Sequence, residues 1–253
     1  MAHNFLGYKV EARSAATVVA DIAAQLDIGA VNCTWMACLN PHSYVIAKDD
    51  TVFATALQNA NWLVPDGIGV VIASRILKRP LTERITGFDI FDGVMQHLNR
   101  RGGSVFFLGS THDTLKRIAE KLPKDYPNVT LAGTASPPFK INYTTAEIDN
   151  MVNAINDAQP DVLWVGLTAP KQEKLIADLQ PRLNVSFAGA IGAVFDFYSG
   201  KIKRSPILFR NAGLEWLPRL IQQPRRLWRR MGVSAPIFIC DVFVRFISEK
   251  KGQ

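Results

Sequence analysis

Residues 104–134 read SVFFLGSTHDTLKRIAEKLPKDYPNVTLAGT. A short run rich in Val and Phe, Ser104–Leu108, gives way to a helical pattern over 112–122 and then to a second short apolar run, Val129–Ala132. The alternation continues through a helix over 145–157, a run at Asp161–Gly166 and a helix over 171–180. Ile148, Met151, Val152 and Ile155 are spaced as one helix face. Strand and helix in turn are the signature of a parallel sheet flanked by helices, so Ser104 to Leu183 reads as half of a doubly wound nucleotide-binding fold.

Working outward, Asn32–Leu39, Trp62–Val64 and Val185–Ala190 are further candidate strands, with helices near 14–26, 67–77 and 89–99. The predicted fold is α/β. A Rossmann-like, largely parallel sheet with flanking helices fills residues 1–205, and a basic, helical, membrane-docking appendage follows over 206–253, divided near 200–210 where composition turns basic. Ligands of such sheets lie beyond the carboxyl ends of the strands. That rule directs attention to Asn40, Asp66-Gly67, Gly109-Ser110 and the stretch Thr168-Ala-Pro-Lys-Gln-Glu173.

Composition narrows the classes. At 253 residues, 48% hydrophobic and 20% charged, the chain buries a sizeable core and is not a disordered one. Its three cysteines, Cys33, Cys38 and Cys240, form no CxxC, so neither a disulfide framework nor a zinc site is expected. His3, His42, His97 and His112 show no metal-ligand spacing, and no GxSxG elbow supports hydrolysis. The N-terminal stretch lacks the pattern of an export signal, and no run reaches the ~18 apolar residues of a spanning helix. The expectation is a protein in a reducing cytoplasm, neither exported nor transmembrane. Net charge is +7, with 17 Lys and Arg against 19 Asp and Glu in residues 1–200, but 12 against 3 in 201–253. Interleaved with Trp216, Trp228, Phe238, Phe243 and Phe246, those cations fit an anionic membrane surface, with a solvated charged face as the plainer alternative.

Each motif carries two readings. In VPDGIG (64–69), Asp66 at a strand end is either a helix N-cap, the commoner role, or a general base for a sugar hydroxyl. FFLGS (106–110) ends in Gly109, whose missing side chain lets a ligand approach the backbone, with a helix N-terminus offering N–H groups to phosphate. Neither it nor Gly67-Ile-Gly69 completes GxGxxG, and there is no Walker motif, which disfavours a dinucleotide oxidoreductase. In TAPKQEKLI (168–176), Lys171, Gln172 and Glu173 either meet a nucleotide or form an ordinary polar first turn. GAIGAVFDFYSGKIKRSP (189–206) ends in Lys201, Lys203 and Arg204, which can neutralise a departing pyrophosphate, while Asp196 between two phenylalanines is as readily structural. There is no Asp-x-Asp, so a metal-independent mechanism without a cofactor is expected.

The C-terminal stretch spaces Leu214, Leu217, Leu220 and Ile221 along one helix face beside Arg219, Arg225, Arg226, Arg229 and Arg230; Pro224 either interrupts that helix or begins a second. In APIFICDVFVRFISEKK (235–251), Asp241 and Arg245 stand four apart, able to pair. Docking on a membrane is expected here over packing in a core.

Taken in order, Asn40, Pro65-Asp-Gly-Ile-Gly69, Glu83-Arg-Ile-Thr-Gly87-x-Asp89, Phe107-Leu-Gly109, Pro170-Lys-Gln-Glu173, Gly192-Ala-Val-Phe-Asp196 and Glu215-Trp-Leu-Pro-Arg219 resemble the WecG/TagA/CpsF glycosyltransferase family over about residues 31–230. The resemblance implies an inverting transferase. It takes a hexose or N-acetylhexosamine from a UDP-sugar, of UDP-glucose or UDP-N-acetylmannosamine type, and forms a β-linkage on an undecaprenyl-pyrophosphate-linked saccharide. The product belongs to exopolysaccharide or another cell-surface glycan, and the enzyme sits peripherally at the cytoplasmic face of the inner membrane. It further implies Asp66 as base with Asn40 beside it, and a substrate site of Thr86, Gly87, Gly109, Lys171, Gln172, Glu173 and Arg204, with Arg219, Arg226 and Arg229 reaching phosphates. One position departs: Cys38 stands where a threonine is common, which puts donor choice in question. The segment 136–139 is also less glycine-rich than usual. The rival classes are a non-catalytic α/β protein that binds nucleotide or nucleic acid, and the disfavoured oxidoreductase. Nucleic acid is not the expected partner, and a homo-oligomer is left open.

Overall fold

The protein, seen in a computed structural model, is described over residues 2–29, 32–140, 142–206, 208–209, 215–222 and 224–251. It opens with an antiparallel hairpin, β1 (Ala2–Phe5) and β2 (Tyr8–Glu11), which the sequence reading did not anticipate. Its two-residue turn, Leu6-Gly7, has positive φ at both positions (49° and 89°), the twist that suits a tight hairpin. There follow α1 (Ala15–Ile28), β3 (Thr34–Leu39), α2 (Pro41–Asp49), α3 (Thr51–Asn59), β4 (Trp62–Pro65), α4 (Ile68–Ile76) and α5 (Gly87–Arg101). Then come β5 (Gly103–Gly109), α6 (His112–Asp125), β6 (Val129–Ala135), α7 (Thr145–Ala158), β7 (Val162–Gly166), α8 (Lys171–Leu179), β8 (Phe187–Ala190) and α9 (Val194–Tyr198). The last described elements are α10 (Trp216–Gln222), α11 (Pro224–Arg229), a π-helical turn (Arg230–Ser234) and α12 (Ala235–Lys251).

Six strands form one parallel sheet in the order β4-β3-β8-β7-β5-β6. Because successive strand residues point to opposite faces, each strand feeds two cores. Trp35, Ala37 and Leu39 of β3, with Leu163 and Val165 of β7, enter one; Met36, Val162 and Trp164 enter the other. The first core is roofed by α2, α3, α7, α8, the hairpin and α12, the second by α1, α5, α6 and α9. Burial on both faces explains the continuous apolar runs that made the strands legible.

Side chains set the helix starts. The hydroxyl of Thr86 accepts from the Asp89 N–H while the Asp89 carboxylate accepts from the Thr86 N–H, closing a capping box on α5. Asn40 caps α2 in the same manner with Ser43, and Asp50 both ends α2 and caps α3. Pro224 is the first described residue of α11; the junction with α10, and with it the choice between the two readings of that proline, falls on residue 223, outside the described residues.

The C-terminal segment corrects three expectations. From Leu227 to Lys250 the helix runs for 24 residues and holds an 18-residue window of mean hydropathy 1.6, long and apolar enough to cross a membrane by length and composition. The expectation that no stretch reaches that length fails because the apolar residues are dispersed among charges rather than contiguous. Asp241 does not pair with Arg245: it binds Lys48 at 2.6 Å and accepts from the Tyr44 hydroxyl at 3.2 Å, while Arg245 binds Glu249 at 2.8 Å. Phe238, read as a membrane aromatic, is buried against Phe5 and Tyr44. One face of α12 therefore belongs to the core, and the helix lies along the body.

Candidate active site

A cavity of about 410 Å³ opens where β4, β3, β7 and β8 end, as the rule for parallel sheets requires. Its floor comes from the strand ends: Cys38 and Asn40, Asp66-Gly67, Leu167–Ala169 and Ala190–Val194. Thr86 and Gly87 close one side and Gln172 with Glu173 the other, while Trp216, Leu227, Arg230 and Ala235 of the C-terminal segment form a wall. A larger groove of about 680 Å³ between α5, α6 and α9 lies on helix flanks, away from the strand ends.

Asp66 is half-buried at this mouth, and its N–H donates to Leu39 O at 2.8 Å, fixing the strand end. The N-cap of α4 is Gly67 (φ 113°), so Asp66 stands one residue before the cap and the N-cap reading of Asp66 is corrected. Asn40 Oδ1 accepts from the N–H groups of His42 (3.0 Å) and Ser43 (2.9 Å), which leaves its Nδ2 group as the donor it can offer.

At the start of α8, Gln172 is 5% and Glu173 1% exposed. Gln172 Nε2 donates to Glu173 Oε1 at 2.9 Å, while Gln172 Oε1 and Glu173 Oε2 have no hydrogen-bond partner among the described residues. Burial pushes the Glu173 carboxyl up to about 7, against the pull of the Gln172 bond and of Arg230. The Cys38 thiol is held well above its ordinary value by burial and then by Asp66, Glu173 and Asp89, so it stays protonated.

Two guanidinium groups are braced together. Arg84 Nη1 donates to Glu215 Oε2 at 3.0 Å; Arg204 lies 3.8 Å from Glu215 Oε1 and 3.8 Å from Asp89 Oδ1, its plane 3.9 Å above the Phe88 ring. Each carries five N–H donors, more than one carboxylate can take, so the pair suits an anion with several oxygens. Across the cavity His42 Nδ1 lies 2.8 Å from Ser234 Oγ; burial, with Arg230 and Arg229 nearby, lowers the ring to about 4 and keeps it neutral near pH 7. Among the described residues no group of three or more His, Cys, Asp or Glu is placed to hold a metal ion.

Of the sequence-predicted residues, Asn40, Asp66, Thr86, Gly87, Gln172, Glu173 and Arg204 line this cavity. Gly109 is not among the residues lining the cavity, and a Cβ there would meet Gly166 O at 2.8 Å, so its bare Cα accommodates the neighbouring strand. Lys171 turns away to stand 5.2 Å over the Phe139 ring, and Lys201 and Lys203 are exposed. Arg229 is exposed outside the cavity; its neighbour Arg230 lines it. The side chains of Arg219 and Arg226 lie outside the described residues. Sequence reasoning gave no role to Arg84, Arg230 or His42. Arg84 sat inside a quoted motif, and the Asn-Pro start of α2 was the available pointer to His42.

Comparison with known proteins follows this geometry. A family model described as "Glycosyl transferase WecG/TagA/CpsF family" matches residues 3–252. A Bacillus subtilis (strain 168) protein named N-acetylglucosaminyldiphosphoundecaprenol N-acetyl-beta-D-mannosaminyltransferase is 33% identical over 215 residues, covering 85% of this chain and 79% of that one. Proteins of the same name from Bacillus spizizenii (32% over 203 residues; 80% and 76% covered) and Staphylococcus aureus strain MW2 (29% over 215; 83% and 80%) are similar too.

Proposed function

Because the chain belongs to the WecG/TagA/CpsF glycosyl transferase family, and is thus a glycosyltransferase, we propose that it moves an N-acetylhexosamine from a UDP-sugar to a saccharide on undecaprenyl diphosphate with inversion. The observation that carries the mechanism is the Asp66 carboxyl at the mouth of a cavity shared with Arg84, Arg204 and Arg230. Asp66 takes the proton of the acceptor hydroxyl as its oxygen bonds to the anomeric carbon; the bond from that carbon to the UDP oxygen breaks on the opposite face, giving a β-linkage. The arginines receive the charge that develops on the departing diphosphate. The names of the relatives favour N-acetylmannosamine over glucose as the sugar and a lipid diphosphate as the acceptor carrier. They do not speak for exopolysaccharide as the product.

The enzyme works peripherally at the cytoplasmic face of the membrane in this reading. Support comes from α12, whose Asp241–Lys48 and Glu249–Arg79 pairs tie it along the body, an arrangement incompatible with crossing a bilayer while those contacts hold. The test is transfer by Asp66→Asn with UDP-N-acetylmannosamine and a short-chain diphospholipid N-acetylglucosamine. Turnover should fall ~10²–10⁴-fold with UDP affinity nearly intact by calorimetry. Near-normal turnover in the variant would remove Asp66 from the role of base, and no transfer by the parent protein from any UDP-sugar would reject the function itself.

A further inference from the structure

Helix α4 belongs to the catalytic body, yet it carries Ile68, Ile72 and Ile76 exposed at 37%, 50% and 46%. The spacing of four keeps all three on one face, and the opposite face is buried through Val70, Val71, Ala73 and Ser74. Solvent alone gives no reason for an isoleucine at each of three successive turns.

Beside it, α12 carries a matching stripe: Ile239 (65%), Phe243 (61%) and Ile247 (38%), again four apart. At about 100° per residue, Phe243 stands about 200° round the helix from Asp241. Asp241 pairs with Lys48 of α2, so the stripe runs along the flank away from α2. Arg79, just past the end of α4, binds Glu249 near the end of α12, about 80° round the helix from Asp241 and about 120° from Phe243, so α4 ends alongside α12. Both helices begin at the cavity, which Ile68 and Ala235 line, and both run away from it.

Charge frames this apolar band with one sign. Arg75 and Lys78 on the α4 side and Arg229 before α12 are exposed, and Lys250 stands 4.7 Å over the Phe246 ring. The acidic groups of α12 are already answered, Asp241 by Lys48 and Glu249 by Arg79 and Arg245. Apolar stripes rimmed by cations match an interface of acyl chains and anionic headgroups; a second copy of a chain with net charge +7 is a poorer match for a cationic rim.

We propose that α4 and α12 together form one bilayer-contacting face, so that the catalytic body itself rests on anionic lipid and its cavity mouth is held at the headgroup level. This rests on the glycosyltransferase reading and adds to it the surface that presents the site to a lipid-borne acceptor. The face, not the C-terminal helix alone, sets the distance between Asp66 and a diphosphate that never leaves the membrane.

The experiment uses the full chain with Ile72→Glu and Ile76→Glu together, neither residue being part of the cavity, and Phe243→Glu as the comparison on α12. Binding is measured by sedimentation with vesicles of phosphatidylglycerol and phosphatidylcholine, and by turnover of a long-chain lipid-diphosphate saccharide in those vesicles against a short-chain soluble one. The double variant should lose about tenfold or more in vesicle affinity and in vesicle turnover, as Phe243→Glu does, while soluble turnover stays at the parent level. Parent-level binding by the double variant, or a parent protein that ignores anionic vesicles, overturns the proposal. A parent dimer in light scattering that the double variant dissociates, without vesicle binding by either, assigns the face to a second copy and overturns it equally. If the glycosyltransferase reading itself failed, soluble turnover would be absent in the parent, an outcome separate from all of these.

Discussion

Glu173 titrates close to working pH because burial opposes its charge, and it does so inside the cavity. Below about 7 it is a neutral acid able to donate from Oε2; above that value it is an anion facing a substrate that is itself anionic. The expected result is an alkaline limb near pH 7 in kcat/KM that disappears in Glu173→Gln, measured as a pH profile of both proteins; an unchanged limb in the variant would remove Glu173 as its origin. Folding responds with a definite sign. The folded carboxyl is raised above its ordinary value of 4.5, so the unfolded chain sheds the proton first and stability contributed by this group falls as pH rises from about 4.5 to 7. Legibility at this scale followed chain position. Asp66 could be read because it directly follows a strand, and Gln172 and Glu173 because they open the helix after one, whereas Arg230 and Arg229 are indistinguishable in sequence. Which of the two turns inward is decided by the π-helical turn that starts at Arg230, and no local pattern announces that turn.

Elements divided along the same line. Strands buried on both faces were visible as apolar runs, and helices with clean periodicity were visible between them. The hairpin was not, since β1 and β2 are four residues each and only half apolar. Nor were α2 and α3, whose boundary is a single shared residue, Asp50. Gly109 shows that a glycine at a strand end also has a packing reason to be there. It has φ 113°, and an added Cβ lies 2.8 Å from Gly166 O and 2.9 Å from Gly166 C, both backbone atoms that cannot swing aside. Gly109→Ala should therefore destabilise the protein by about 2 kcal/mol or more, read from urea unfolding, with UDP affinity of the folded fraction close to normal. A stable variant with weakened UDP binding would instead favour the ligand-approach reading.

At the scale of the molecule, the C-terminal segment is both a wall of the cavity and a roof of the core. Phe238 (3% exposed) and Val242 (5%) pack into the same cluster as Phe5 and Val10 of the hairpin. Deleting residues from Ala235 onward removes two buried side chains, each contributing about 2 kcal/mol, and should lower the melting temperature by about 10 °C in calorimetry. No change in melting temperature would mean that α12 merely lies on the body. Composition foretold a basic end, but not that the same helix completes the core, because Phe238 and Phe243 differ only by the faces they present.

The three thiols divide as the packing does. Burial pushes Cys33 up to about 12, and burial, with the carboxylates around it, keeps the proton of Cys38 in place, so neither offers a thiolate to an electrophile in neutral buffer. Cys240 alone among them is exposed, next to Ile239 on α12. A maleimide thus meets one exposed sulfur, set on α12 beside the face proposed to rest on lipid, and the sequence offers a single attachment point for a fluorophore where that contact would change its surroundings.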